Sequence, residues 1–91
     1  MPIISEEVSH PHIIKDPAIC GGSSVIKGTR FPIRSIVYYI LQLGLSPEEL
    51  IAKFIFLSKA QVYDALAYYY DNQEEVEQDI TENSEQNARN K

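Results

Sequence analysis

Two helix-start signals, close together in the chain, constrain its fold more than any other feature. Ser46-Pro47-Glu48-Glu49 and Ser58-Lys59-Ala60-Gln61 each set a serine three residues ahead of a Glu or Gln. In that spacing the hydroxyl accepts the third helical amide while the Glu or Gln side chain reaches back to the serine's own amide. Pro47 strengthens the first signal, because a missing N–H is harmless in the first helical position. The first signal predicts a short helix ending around Phe54. The second opens a helix that runs through Tyr70, with Val62, Leu66, Tyr69 and Tyr70 supplying the apolar spacing. Upstream, a helix is expected from near Pro32 to Leu43, with Gly44 as its stop.

Before these helices the residue types change. Ile13-Ile14 reads as a short strand ended by Asp16-Pro17, and Val25-Ile26 as a second, separated by a turn over Cys20 to Ser24 that contains Gly21-Gly22. Lys27-Gly28-Thr29 is a further turn. The predicted fold class is mainly α: a three-helix, helix-turn-helix (homeodomain-like) bundle with a short N-terminal β segment. Residues 1–9 show no periodicity and are expected to form a flexible arm, with residues 10–71 as the folded domain. Residues 72–91 form an acidic tail. Asn72 and Glu75 cap a short helix there carrying Val76 and Ile80, and the Glu, Asn, Gln and Ser content from Thr81 onward predicts disorder.

A chain of 91 residues makes one domain, and a domain of that size buries only about 60% of its unfolded surface. A symmetric dimer formed through the N-terminal strands and the helix faces rich in tyrosine is therefore expected. No stretch reaches the roughly 18 apolar residues of a spanning helix, and Met1 to His10 lacks the features of a signal peptide, which predicts a cytoplasmic protein with no membrane partner. Cys20 is the lone cysteine, in keeping with a reducing compartment. No carboxylate pair, triad or metal-ligand spacing supports an enzyme, a cofactor or a metal site. His10-Pro11-His12 offers two ligands without companions and reads as part of a solvated arm.

The net charge of −5 speaks against nucleic acid until its placement is considered. Residues 1–9 and 71–91 together carry −7, whereas residues 10–70 carry +2. A basic middle fits a DNA binder, and it fits a protein-binding domain with solvating ends equally well. In a helix-turn-helix the second helix presents its first residues to the major groove. The candidate DNA contacts there are Ser58, Lys59, Gln61 and Tyr63, with Arg30, Arg34 and Lys53 placed to address phosphates. The alternative reading of the same residues is an ordinary wetted helix face.

The stretch Ile19-Cys20-Gly21-Gly22-Ser23-Ser24-Val25-Ile26-Lys27-Gly28-Thr29-Arg30-Phe31-Pro32-Ile33, then Leu43-Gly44-Leu45-Ser46-Pro47-Glu48-Glu49-Leu50-Ile51, Leu57-Ser58 and Ala65-Leu66-Ala67-Tyr68-Tyr69, resembles the bacterial family catalogued as domain of unknown function 433. The resemblance spans about His12 to Tyr70. It departs at Ile55-Phe56, where the family has Tyr-Pro, and at Ser23-Ser24, where it has Lys-Pro. The resemblance implies a helix-turn-helix domain similar to antitoxins of type II toxin–antitoxin pairs, often encoded beside a PIN-like nuclease. It carries over Gly22, Gly28, Thr29 and Arg30 as a signature without an assigned chemical role.

On that footing the expected function is a DNA-binding antitoxin and autorepressor, acting on its own promoter and neutralising a PIN-like nuclease toxin. The alternative is a small protein-interaction module without DNA binding. Toxin contact is expected from the acidic tail through Glu74, Glu75, Val76, Asp79 and Ile80, with Val76 and Ile80 as the apolar anchor of a forming helix. A merely solubilising tail is the competing expectation.

Overall fold

The computed structural model describes residues 10–89, with side chains to residue 83. The arm expected over residues 1–9 lies outside the described residues. The architecture is mainly helical, with a two-stranded antiparallel sheet at the N-terminal end and four helices rather than three.

Strand β1 (Ile13–Lys15) pairs with β2 (Ser24–Ile26) so that Ile13 faces Ile26 and Lys15 faces Ser24. Every residue of β2 is buried. The turn after it explains part of the signature. Gly28 has φ 84°, a left-handed conformation that L side chains seldom adopt. The Thr29 hydroxyl donates to the Ile26 carbonyl (2.8 Å) and accepts from the Phe31 amide (2.9 Å). The Gly-Thr pair thus folds the chain back so that Pro32 bridges to Val25.

Helix α1 (Ile33–Val37) starts one residue after Pro32, whose extended ψ of 155° leaves it outside the helix. It widens into a π-helical turn over Tyr38–Gln42, in which the Leu43 amide reaches five residues back to Tyr38. Gly44, at φ 80°, follows. Helix α2 (Pro47–Lys53) and helix α3 (Lys59–Asp71) both carry complete capping boxes, on Ser46/Glu49 and Ser58/Gln61. Ile33, Ile36, Leu50, Leu57, Val62 and Ala65 form the centre of the core. Tyr69 joins them as predicted, but Tyr70 is exposed and Leu66 only partly covered.

The C-terminal segment departs from expectation. Helix α4 runs from Gln73 to Arg89, well beyond the short helix expected before disorder. Composition undervalues this segment because its attachment is non-local: Val76 lies in the core and Ile80 packs against it. Nor does Asn72 form the expected cap with Glu75. Its side-chain amide donates to the Tyr68 carbonyl, closing α3, and Glu75 is engaged elsewhere.

Candidate binding surface

The connection between α2 and α3 determines which side chains face solvent. Leu57 plugs the core, so its neighbours Ile55 and Phe56 point outward, 85% and 57% exposed. Phe54 stays partly covered, edge-on to Phe31 (4.9 Å between ring centres) and Tyr39 (5.3 Å). Phe31 also lies 6.1 Å from Phe56. Because Arg30 precedes Phe31 and Lys53 precedes Phe54, both exposed cations flank the same turn, the Lys53 ammonium lying 5.8 Å from the Phe54 ring centre.

Lys59, on the far side of the turn, lies 3.6 Å from Glu48 with both side chains about 60% exposed. Such a pair is screened by solvent and readily exchanged. Ser58 and the Gln61 carbonyl oxygen are occupied in the capping box, which leaves the Gln61 amide group for other partners. Tyr63 is half exposed. Lys53 thus lies just before the α2–α3 turn, and Lys59 and Tyr63 lie just after it, in the first two turns of α3.

Arg34 does not join them. Its guanidinium donates to the Ser23 hydroxyl (2.8 Å) and to Asp79 (3.1 Å), tying α1 to α4. Of the tail residues singled out in the sequence, only Glu74 is fully presented to solvent. Val76 is 2% exposed, Ile80 packs on the core, and Asp79 holds Arg34. Glu75 accepts from the Ser24 hydroxyl (2.7 Å) and the Tyr68 hydroxyl (2.8 Å), with the Lys15 ammonium at 3.2 Å. Partial burial works to raise its pKa, but these hydrogen bonds and the lysine charge outweigh it and hold the carboxyl below its ordinary value. Tyr68 is shifted upward, by desolvation and by Glu75.

Sequence reasoning missed a polar cluster at the other end of β1. The His10 ring sits between two α3 carboxylates, Nδ1 3.3 Å from Asp64 and Nε2 2.9 Å from Asp71, and edge-on to Tyr68. The His12 amide donates to the second Asp64 oxygen (2.8 Å). His10 is thus part of the fold and not of a solvated arm. The available signal was the spacing of Asp64, Tyr68 and Asp71, which places all three on one side of a helix. Cys20 donates its thiol to the Arg30 carbonyl (3.2 Å). Among the described residues no helix is long and apolar enough to cross a membrane, and no three His, Cys, Asp or Glu side chains converge as a metal site.

The family profile described as "Protein of unknown function (DUF433)" matches residues 13–69, from β1 to the last turn of α3. The chain belongs to the DUF433 family. The crystal structure of a DUF433 member protein from Anabaena variabilis is similar to it at 30% identity and a TM-score of 0.73, over 85% of this chain and 75% of that one. A search of curated proteins returns no match. The DUF433 match ends before α4, yet α4 closes the core of this chain through Val76.

Proposed function

We propose that this chain is a cytoplasmic DNA-binding module, not an enzyme, in which α2 and α3 act as a helix-turn-helix and the dimeric protein represses its own promoter as an antitoxin. The observation that carries the reading is the set of exposed cations, Arg30, Lys53 and Lys59, around the α2–α3 turn, with Tyr63 and the Gln61 amide in the first turns of α3. Cations placed this way meet the phosphates flanking a groove, while the start of the second helix meets base edges. The resemblance to antitoxins supplies the expected partner, a PIN-like nuclease. The exposed side of α4, beginning with Glu74, is the acidic surface available to it.

The exposed pair Ile55 and Phe56 favours a second reading, a protein-interaction module, because an apolar tip of this kind marks contact with other proteins. Fluorescence anisotropy with the upstream DNA of the protein's own gene separates the two. DNA binding through phosphates weakens steeply between about 50 and 200 mM salt, and each of Arg30→Ala, Lys53→Ala and Lys59→Ala should flatten the log–log slope by about one. Binding that is absent or indifferent to salt would replace the DNA reading with the interaction module.

A further inference from the structure

We propose that Ile55 and Phe56 form an apolar wedge that enters a base step of double-stranded DNA, while the cations beside them hold the adjoining phosphates. The inference rests on the DNA reading above and adds how the α2–α3 turn itself, as distinct from the start of α3, meets the duplex. Three observations carry it.

First, the turn carries side chains that its own geometry does not call for. The Leu57 amide donates to the Phe54 carbonyl (2.9 Å), which puts Ile55 and Phe56 at the two central positions of a tight turn. Pro, Asp, Asn, Ser and Gly dominate such positions, because they set the backbone angles or bond to nearby backbone. Ile55 and Phe56 add little to the core either, since Leu57 fills it and they stand 85% and 57% exposed. A departure from local rules without a structural gain points to a contact outside the chain.

Second, the exposed ring is supported. Phe56 lies 6.1 Å from Phe31 and 6.2 Å from Phe54, and those two rings meet edge-on at 4.9 Å, with Tyr39 against Phe54. Ring packing of this kind keeps the side chain from folding back when it meets stacked bases. Ile55 is branched at Cβ and stiff at χ1.

Third, the charge around the turn has one sign. Residues 50–63 hold Lys53 and Lys59 and no carboxylate, and residues 17–47, which bring Arg30 and Phe31 to the turn, hold none either. Among the described residues Lys59 alone of these three cations has an ion-pair partner, Glu48. The occupant is therefore anionic. A second copy would set like charges against one another, and two side chains are a small anchor for a bilayer. Stacked bases between phosphates match both features, and Phe or Ile inserted at such a step beside Arg and Lys kinks the duplex by about 20–90°.

The test uses the full chain and the upstream DNA of its gene, labelled at both ends for resonance energy transfer. Wild type should bring the ends closer and make thymines at one step reactive to permanganate. Ile55→Ser and Phe56→Ser should each abolish both signals and together weaken binding by roughly tenfold, the net of losing two buried side chains and regaining one stacked step. The salt dependence should stay as in the wild type, because no phosphate contact is removed. Circular dichroism checks the fold, and if Phe56→Ser loses helix, Ile55→Ser alone carries the test. Salt-sensitive binding to straight, unreactive DNA would overturn the wedge and leave the DNA reading in place. A protein that binds no DNA but sediments with anionic phosphatidylserine vesicles, and loses that in Ile55→Ser, would overturn both and give the turn to a membrane surface.

Discussion

At the scale of single residues, the side chain whose role changes most is Arg34. A cation four positions after Arg30 invites a phosphate contact, but with only about a fifth of its side chain exposed it holds Asp79 and Ser23 across the α1–α4 junction. Removing one member of a largely covered, hydrogen-bonded ion pair strands the other, so Arg34→Ala should destabilise the fold by about 1–3 kcal/mol. In urea denaturation a double-mutant cycle with Asp79→Ala should give a coupling energy near 1 kcal/mol; additive losses would mean the two side chains do not cooperate. Glu75 supports a second prediction. Its carboxyl titrates below its unfolded-state value, so its contribution to stability is present above the unfolded pKa and is lost as pH falls through the lower, folded one. Denaturation midpoints measured from pH 6 down to pH 3 should fall less for Glu75→Gln than for the wild type. Parallel curves would show that the Ser24–Tyr68–Lys15 setting does not bias this group.

At the scale of elements, what could be read from the sequence divides by the range of the interactions involved. Both capping boxes and the turn at Gly28 depend on residues within four positions of one another, and the helix starts and the turn that they define appear within a residue or two of their expected places. The contacts that fasten the two ends of the described chain are of another kind: Arg34 to Asp79 and Ser24 to Glu75 hold α4, and His10 to Asp64 holds the start of β1 on α3, joining residues 45, 51 and 54 positions apart. No local pattern encodes such pairs. That is why α4 looked like a short helix and a loose tail, and why the candidate cations could not be sorted into free and engaged ones. Val76→Ala tests the corrected view of α4. It removes two methyl groups from a site with 2% exposure and should lower stability by about 2 kcal/mol, whereas the exposed Glu74→Ala should change it by no more than a few tenths. Equal effects would return α4 to the status of an appended tail.

At the scale of the whole molecule, the exposed apolar surface among the described residues lies in two regions. One is the side of α3 that carries Tyr63 and Tyr70, together with Ile55 and Phe56 of the α2–α3 turn. The other is the outer side of the widened turn after α1, where Tyr38, Leu41 and Leu43 are each about half exposed. Tyr38 and Leu41 lie in the π-helical turn and Leu43 follows it, beyond the core-facing Ile33, Ile36 and Val37 of α1. A chain of 10.3 kDa has little core with which to offset such exposure, and a two-fold partner would cover the region with its own copy. A helix-turn-helix reader gains from the same arrangement, since two recognition helices about 34 Å apart meet successive major grooves. Sedimentation equilibrium at tens of micromolar should therefore report a mass near twice the chain mass. Leu41→Lys should return it to the monomer with unchanged helical circular dichroism, because Leu41 is half exposed and outside the buried core. If Leu41→Lys remains dimeric, the interface lies elsewhere; if the wild type is monomeric at every concentration, paired half-site binding goes with it, and DNA contact would have to come from one α3 helix alone.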